Sequence, residues 1–458
     1  MVDTVIVGAG PAGLAAARDL AAAGRKALVL EKRAILGGKL SSWRDADGDI
    51  LETGLHAFFG GYASLHALLK EVGISHHVRW QPHALTWIMP PNFSQRWNGE
   101  AVSEEFQFTN APSPFNGIGA VLNAKYVFNH WEKVLFAKGT LPVLLSDHKY
   151  ADAQDKYTYA EWHRRRGMSE HMLRTFFAPM SLALNFTTVD DISAEAMLRV
   201  MAYFASTRDA SRAGFLDGPP GPRFVEPLAE FVRERGQTIE ASSGVAELLF
   251  SGDRCTGVRT RDGRTIEAEN VILAVPVHDA KRLLPADMLR DDRIHGVGKL
   301  SSSPVINAHL WFDRPISRFT NLMFSPGTIL SVHADLGQVS PGYESPGKSF
   351  IEACVAPADD LMHLDDDAVI DRVMTDMEKL YPGARKALVK AKLVRVPKSV
   401  YRASPGAETL RPGSRTPIRN LFLAGCYVDT KFPASIEGAV RSARMAVDAL
   451  LEETRAAV

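Results

Sequence analysis

A chain of 458 residues is longer than one hydrophobic core sustains, so two domains are expected. Its 46% hydrophobic and 23% charged residues exclude a disordered chain. Lysine plus arginine equal aspartate plus glutamate at 53 each, which removes any global electrostatic case for a nucleic-acid binder.

The first predicted element is the β-branched run Val5-Ile6-Val7, read as a buried parallel strand. It leads into Gly8-Ala9-Gly10-Pro11-Ala12-Gly13, a G-x-G-x-x-G that opens a helix from Leu14 to Ala23. Gly8 permits the tight turn, Gly10 lets the backbone approach a pyrophosphate, and Gly13 lets the helix pack against the strand. The helix N-terminus offers free N–H groups to phosphate. Gly24 caps the helix, Lys26 to Leu30 forms the second strand, and Glu31 is placed to accept ribose hydroxyls. Strand, glycines, helix, strand and acid in that order point to a bound dinucleotide. A second glycine pair, Gly37-Gly38 before Lys39, is either an ordinary turn or a close pass over a bulky ligand.

From Val121 to Leu145, Tyr126, Phe128, Trp131, Val134, Leu135 and Phe136 alternate with Lys125, Lys133 and Lys138, and Pro142 is expected to break the pattern. Such a stretch suits a bilayer interface, while a core helix with solvated lysines is the commoner origin of the pattern. Trp162-His163-Arg164-Arg165-Arg166 reads as a solvated helix face, or as a contact for anionic headgroups. Asp262-Gly263 marks a hairpin whose first arm holds Cys255–Val258 and whose second leads to the buried run Val271–Val275. Asn420–Gly425 repeats the strand-then-glycine pattern, and Ser435–Ala443 opens a helix with small residues for close approach to a ligand. Neither Gly117-Ile118-Gly119 nor Gly296-Val297-Gly298 completes a second dinucleotide motif. Cys255, Cys354 and Cys426 are scattered, and His76, His77, His163 and His278 lack metal-ligand spacing, so no disulfide frame and no metal site are expected. No run reaches the roughly 18 apolar residues of a membrane span. The chain begins at its first strand with no leader segment, so a cytoplasmic location is expected.

Glu31, Gly37, Gly38 and Lys39 fit the E-x(5)-G-G-[RK] pattern of flavoproteins with two dinucleotide-binding domains, which include amine oxidases and carotenoid desaturases; that favours FAD over NAD. Glu52-Thr53-Gly54-Leu55-His56-Ala57-Phe58-Phe59-Gly60-Gly61-Tyr62 resembles a block of the plant and cyanobacterial carotenoid desaturases of the phytoene and zeta-carotene type. Tyr401–Gly406, Arg411-Pro412, Thr416–Ile418, Phe422–Gly425, Ser435–Ala439, Phe177–Pro179 and Ser193–Met197 resemble further blocks, and the zeta-carotene branch is the expected closer match. Cys426 departs from the family's Asp and Lys39 from its commoner Arg. The chain is also shorter than the plant enzymes, as expected of a bacterial member without a transit peptide.

The resemblance implies an α/β fold in which a Rossmann-like FAD-binding domain (1–60, 215–285 and 415–458) is interleaved with an α+β substrate domain (61–214 and 286–414). It implies that Ala12, Lys32, Gly37, Gly38, Lys39, Gly54, Leu55, His56, Val245, Gly425, Cys426, Ser435, Ile436, Glu437 and Ala439 join Gly8, Gly10, Gly13 and Glu31 in holding the cofactor. His56 and Tyr427 become candidates for the reaction face; as plainly, they are a buried hydrogen-bonded histidine and a core tyrosine. The expected activity is desaturation of a carotenoid or related isoprenoid, with electrons passed to a quinone or oxygen at the inner-membrane surface. Another lipid, such as a fatty-acyl or squalene-type chain, polyene isomerisation, flavin amine oxidation and a non-enzymatic FAD scaffold are the alternatives. Hydride transfer from an allylic carbon needs alignment and a charge-tolerant environment, so no catalytic triad is expected.

Overall fold

The strand Val2–Val7 lies inside a seven-stranded sheet, where Val5 and Ile6 are fully enclosed. It pairs in parallel with Ala27–Leu30 on one side and with Thr265–Leu273 on the other. Thr238–Glu240 and Leu421–Leu423 extend the parallel part. The strand Thr265–Leu273 serves two neighbourhoods. Its later residues carry the parallel pairing, while Thr265, Ile266 and Glu267 pair antiparallel with Arg254–Thr260 across the Asp262-Gly263 turn. The expected hairpin is therefore present, and Gly263 takes φ +89° there, which a side chain would resist. The structure is a computed structural model that describes residues 2–93, 99–145, 149–343 and 345–456.

Helices Pro11–Ala22 and Ile436–Ala456 share one buried cluster in which Leu14, Ala15, Ala16 and Ala17 meet Val440, Ala443, Ala446 and Leu450. The alanines let the helix axes approach closely, so both helix N-termini reach the same end of the sheet. A second seven-stranded sheet runs in the order Leu388–Val396, Val305–Phe312, Phe350–Val355, Leu330–Asp335, Met323–Phe324, Ala84–Met89 and Val102–Gln107. Its strands are contributed by two stretches of sequence that flank the hairpin strands of the first sheet. A smaller sheet of Phe58–Phe59, Ala213–Leu216 and Val78–Trp80 lies where the chain leaves and re-enters the first.

The 121–145 segment corrects one expectation. Helix His130–Leu145 continues through Pro142. Proline removes the N–H that would serve the Lys138 carbonyl four residues earlier, but Arg166 Nη2 donates to that carbonyl at 3.2 Å. With the acceptor satisfied from outside, the helix need not end. Phe128 is buried under it, whereas Leu122, Tyr126, Trp131, Val134 and Leu141, with Phe115 and Ile118 on the preceding helix Phe115–Asn123, face outward. Nor is 162–166 a uniformly solvated face: Trp162 and His163 are buried, and only Arg164 and Arg165 are exposed. Among the described residues no helix is long and apolar enough to cross a membrane.

Candidate functional site

The glycine turn after the first strand is built for close backbone approach. Gly8 adopts φ +104°, and a Cβ there would sit 2.6 Å from the Ala274 carbonyl oxygen. On Gly13 it would sit 1.8 Å from the Gly8 oxygen, so this glycine seats the helix on the strand. Gly10 caps the helix with no side-chain hydrogen bond, which leaves the first N–H groups available to a ligand. The loop at Gly37-Gly38 folds back onto this turn: Gly37 N–H donates to the Ala9 carbonyl at 2.9 Å, and a Cβ on Gly38 would come 3.2 Å from Gly10 Cα. Glu31 is buried at the end of the second strand. Its carboxylate accepts from Ala9 N–H at 2.9 Å and Arg33 N–H at 3.0 Å, so it is fixed beside the turn before any ligand arrives.

These elements open into a cavity of about 940 Å³. Gly8, Gly10, Ala12, Glu31, Lys32, Gly38 and Lys39 line one end. Gly54, Leu55, His56, Val245, Gly425, Cys426, Ser435, Ile436 and Ala439 also contribute to its wall. Four expected residues do not. Gly13 and Gly37 act within the backbone packing, a Cβ on Gly37 meeting Val225 at 2.8 Å. Glu437 is buried; it accepts from Ser64 N–H at 3.1 Å and Leu65 N–H at 2.8 Å and pairs with Arg441, which ties two helices together. Tyr427 is 1% exposed, and its hydroxyl has no partner among the described residues. It packs behind the wall.

The rest of the wall is what the sequence reading missed. Leu51, Phe59, Leu184, Phe186 and Leu322 line it, together with Val305, Val332, Cys354, Val394 and Val396. The last five share one face of the second sheet, as the two-residue period of its paired strands requires. Lys398, Arg261 and Arg282 stand around the same cavity. The cavity thus joins a phosphate-type cradle to an apolar surface.

Beside the wall lies a polar cluster. His56 Nε2 donates to the Lys39 carbonyl at 2.7 Å, and its Nδ1 lies 3.2 Å from Glu52 Oε2. The Glu52 backbone N–H donates to His309 Nε2 at 3.0 Å, and Asn307 Nδ2 donates to Glu352 Oε1. Burial pushes the Glu52 and Glu352 carboxyls well above the usual carboxylate range and lowers His56, while His309 is pushed down to about 3. Burial also raises the Cys354 thiol to about 12, so it is no thiolate at neutral pH.

The open helix terminus, the buried acid at the second strand and the paired glycine loops fit the adenosine and diphosphate of FAD. The chain belongs to the family of flavin containing amine oxidoreductases, whose pattern it matches over residues 11–451. It is an FAD-dependent oxidoreductase of that family, and within it a flavoprotein of carotenoid-desaturase type. It is 36% identical to a 15-cis-phytoene desaturase of Synechococcus elongatus, covering 97% of this chain and 95% of that one. It is also 36% identical to the chloroplastic 15-cis-phytoene desaturase of an Oncidium hybrid, covering 99% and 78% respectively. A probable zeta-carotene desaturase of Synechococcus elongatus is 32% identical, covering 98% of each chain. These phytoene enzymes are the nearer relatives, which reverses the branch expected from the motif blocks. Among solved structures, an oxidoreductase of Methanosarcina mazei superposes with a TM-score of 0.76 at 20% identity, covering 98% of this chain and 100% of that one. A putrescine oxidase variant gives 0.74 at 19%, covering 98% and 99%. Both share the fold.

Proposed function

We propose that this protein desaturates a carotenoid or related isoprenoid, removing a hydride and a proton from adjacent carbons and passing the electrons to a quinone or oxygen. The observation that carries this reading is that one cavity is lined both by the glycine cradle and by an apolar sheet face. Likeness to phytoene desaturases along nearly the whole chain supports a polyene as the occupant. We read residues 1–60, 215–285 and 415–458 as the cofactor domain and the remainder as the substrate domain.

FAD, when bound, supplies the two-electron, hydride-accepting oxidant. In this reading Gly8, Gly10 and Ala12 with the helix terminus behind them hold the diphosphate, and Glu31 takes the ribose. The N-terminus of Ile436–Ala456 would bring a positive dipole end to the wall at Ser435 and Ile436, suited to an acceptor that gains negative charge with the hydride. Val305, Val332, Leu322 and Leu184 exclude water and align the extended substrate. The outward apolar side chains of 115–141, with Lys125, Lys133 and Lys138 among them, form the membrane-resting surface from which a water-insoluble substrate enters.

A flavin amine oxidase is the second reading. Such an enzyme would need aromatic rings framing the reacting amine. Tyr427 is packed behind the wall beside half-buried Cys426, so those rings would have to come from elsewhere in the lining, such as Phe59, Tyr62 or Phe186. The test is anaerobic mixing of the FAD-loaded protein with phytoene, zeta-carotene or squalene in liposomes, and separately with amines. Bleaching of the flavin by the carotenoids alone supports the proposal. Bleaching by amines, or a cis/trans change in the polyene at constant mass, would replace it with the oxidase or isomerase reading.

A further inference from the structure

The proposed desaturation makes no use of the buried cluster beside the cavity, yet hydrogen-bond roles there are almost fully determined. A carbonyl can only accept, so the 2.7 Å contact to Lys39 O puts a proton on His56 Nε2. A backbone N–H can only donate, so the 3.0 Å contact from Glu52 N makes His309 Nε2 an acceptor and leaves that ring neutral, with its proton on Nδ1. The Asn307 amide donates to Glu352 Oε1, while Glu352 Oε2 finds no partner among the described residues. Glu52, Glu352 and His56 also border one small hollow with Ser340 and Tyr343. Among the described residues no lysine or arginine lines it; the rings beside the two acids are His56, with Nδ1 3.2 Å from Glu52 Oε2, and the neutral His309, with Nε2 3.5 Å from Glu352 Oε1. Glu52 is 3% exposed and Glu352 is fully buried. Two facing carboxylates in that setting would carry an uncompensated charge.

We propose that Glu52 is a positioning acid: its carboxyl O–H donates to His56 Nδ1, so that a neutral His56 spends its one N–H on the Lys39 carbonyl and pins the Gly37-Gly38-Lys39 turn against the cofactor cradle. Both ring nitrogens of His56 are then engaged with protein. His56 therefore anchors the glycine turn and does not remove the substrate proton. The arrangement also ties the second sheet, through His309 and the Glu52 backbone, to the loop at the cofactor's end of the cavity. This inference rests on the reading that the cavity holds FAD only for its effect on affinity; the protonation states are independent of it.

The test is nitrogen NMR of histidine-labelled full-length protein without FAD, with infrared spectra of the wild type and Glu52→Gln, followed by FAD titration. The expected result is a neutral Nε2–H tautomer for His56 at neutral pH and a carboxylic-acid band lost in Glu52→Gln. Glutamine can donate the same bond, so Glu52→Gln retains FAD affinity within about twofold, whereas Glu52→Ala loses about tenfold. A His56 imidazolium, or no carboxylic-acid band assignable to Glu52, overturns the protonation assignment. Full FAD affinity in Glu52→Ala, with an unchanged fold by circular dichroism, overturns the positioning role. If the wild type binds no FAD, the functional reading fails, while the two spectra still decide the protonation states.

Discussion

Gly10→Ala separates the cofactor cradle from the scaffold that carries it. A Cβ at Gly10 meets nothing closer than Gly38 Cα at 3.8 Å and the Gly37 oxygen at 3.9 Å, both ordinary contacts. Its backbone, φ −79° and ψ −179°, is extended and open to any residue. The apoprotein should therefore fold normally, and even gain about 0.4–1 kcal/mol from a stiffer unfolded chain. The new methyl nevertheless stands at the helix N-terminus, where the diphosphate must approach the backbone. Overpacking of that kind costs about 1–3 kcal/mol, which corresponds to a loss of roughly 5- to 150-fold in FAD affinity. Thermal unfolding of the apoprotein and fluorescence titration with FAD measure the two effects separately. FAD binding within twofold of wild type would refute the cradle; a collapsed apoprotein would refute the steric reasoning.

Gly13→Ala should do the opposite of Gly10→Ala, because its Cβ would meet the Gly8 backbone oxygen at 1.8 Å: apoprotein melting should fall by several degrees, and an unchanged melting temperature would contradict the packing described. His163 is buried and neutral, its pKa lowered by burial from 6.5 to about 4. The unfolded chain binds the proton more readily, so this group's stabilisation, at most about 3 kcal/mol, is full above pH 6.5 and is lost as pH falls towards 4. Urea titrations across that window should show it, and His163→Gln should flatten the profile relative to wild type. Trp131→Glu with Val134→Glu removes two outward apolar side chains, each contributing about 1.5–3 kcal/mol when buried in an interface. Cosedimentation with liposomes should drop at least about tenfold, and unchanged cosedimentation would place the membrane surface elsewhere.

The nucleotide end of the cavity was legible because backbone geometry dictates it. Gly8, Gly37 and Gly38 hold positive φ angles that select glycine in the sequence itself, and the Asp262-Gly263 turn announces its hairpin in the same way. The apolar wall was not legible, since Leu184, Val305, Val332 and Val394 come from distant segments and look like any core. The strands Val305–Phe312 and Phe350–Val355 did carry a signal: Asn307, His309 and Glu352 are polar residues inside otherwise apolar runs, and they form the buried cluster. Pro142 misled because the rule that proline ends a helix assumes an orphaned carbonyl, and Arg166, remote in sequence, satisfies it. The arginines at 164–166 similarly disguised Trp162 and His163, whose neighbours in the fold, Tyr159 and Phe177, are aromatic.

The most direct measurement is anaerobic reduction of the FAD-loaded protein by phytoene in liposomes, followed by quinone addition and mass analysis of the extracted pigment. The expected result is flavin bleaching, reoxidation by the quinone, and a product two hydrogens lighter with a longer conjugated chain. A flavin that stays oxidised with phytoene and zeta-carotene, yet bleaches with an amine, would contradict it.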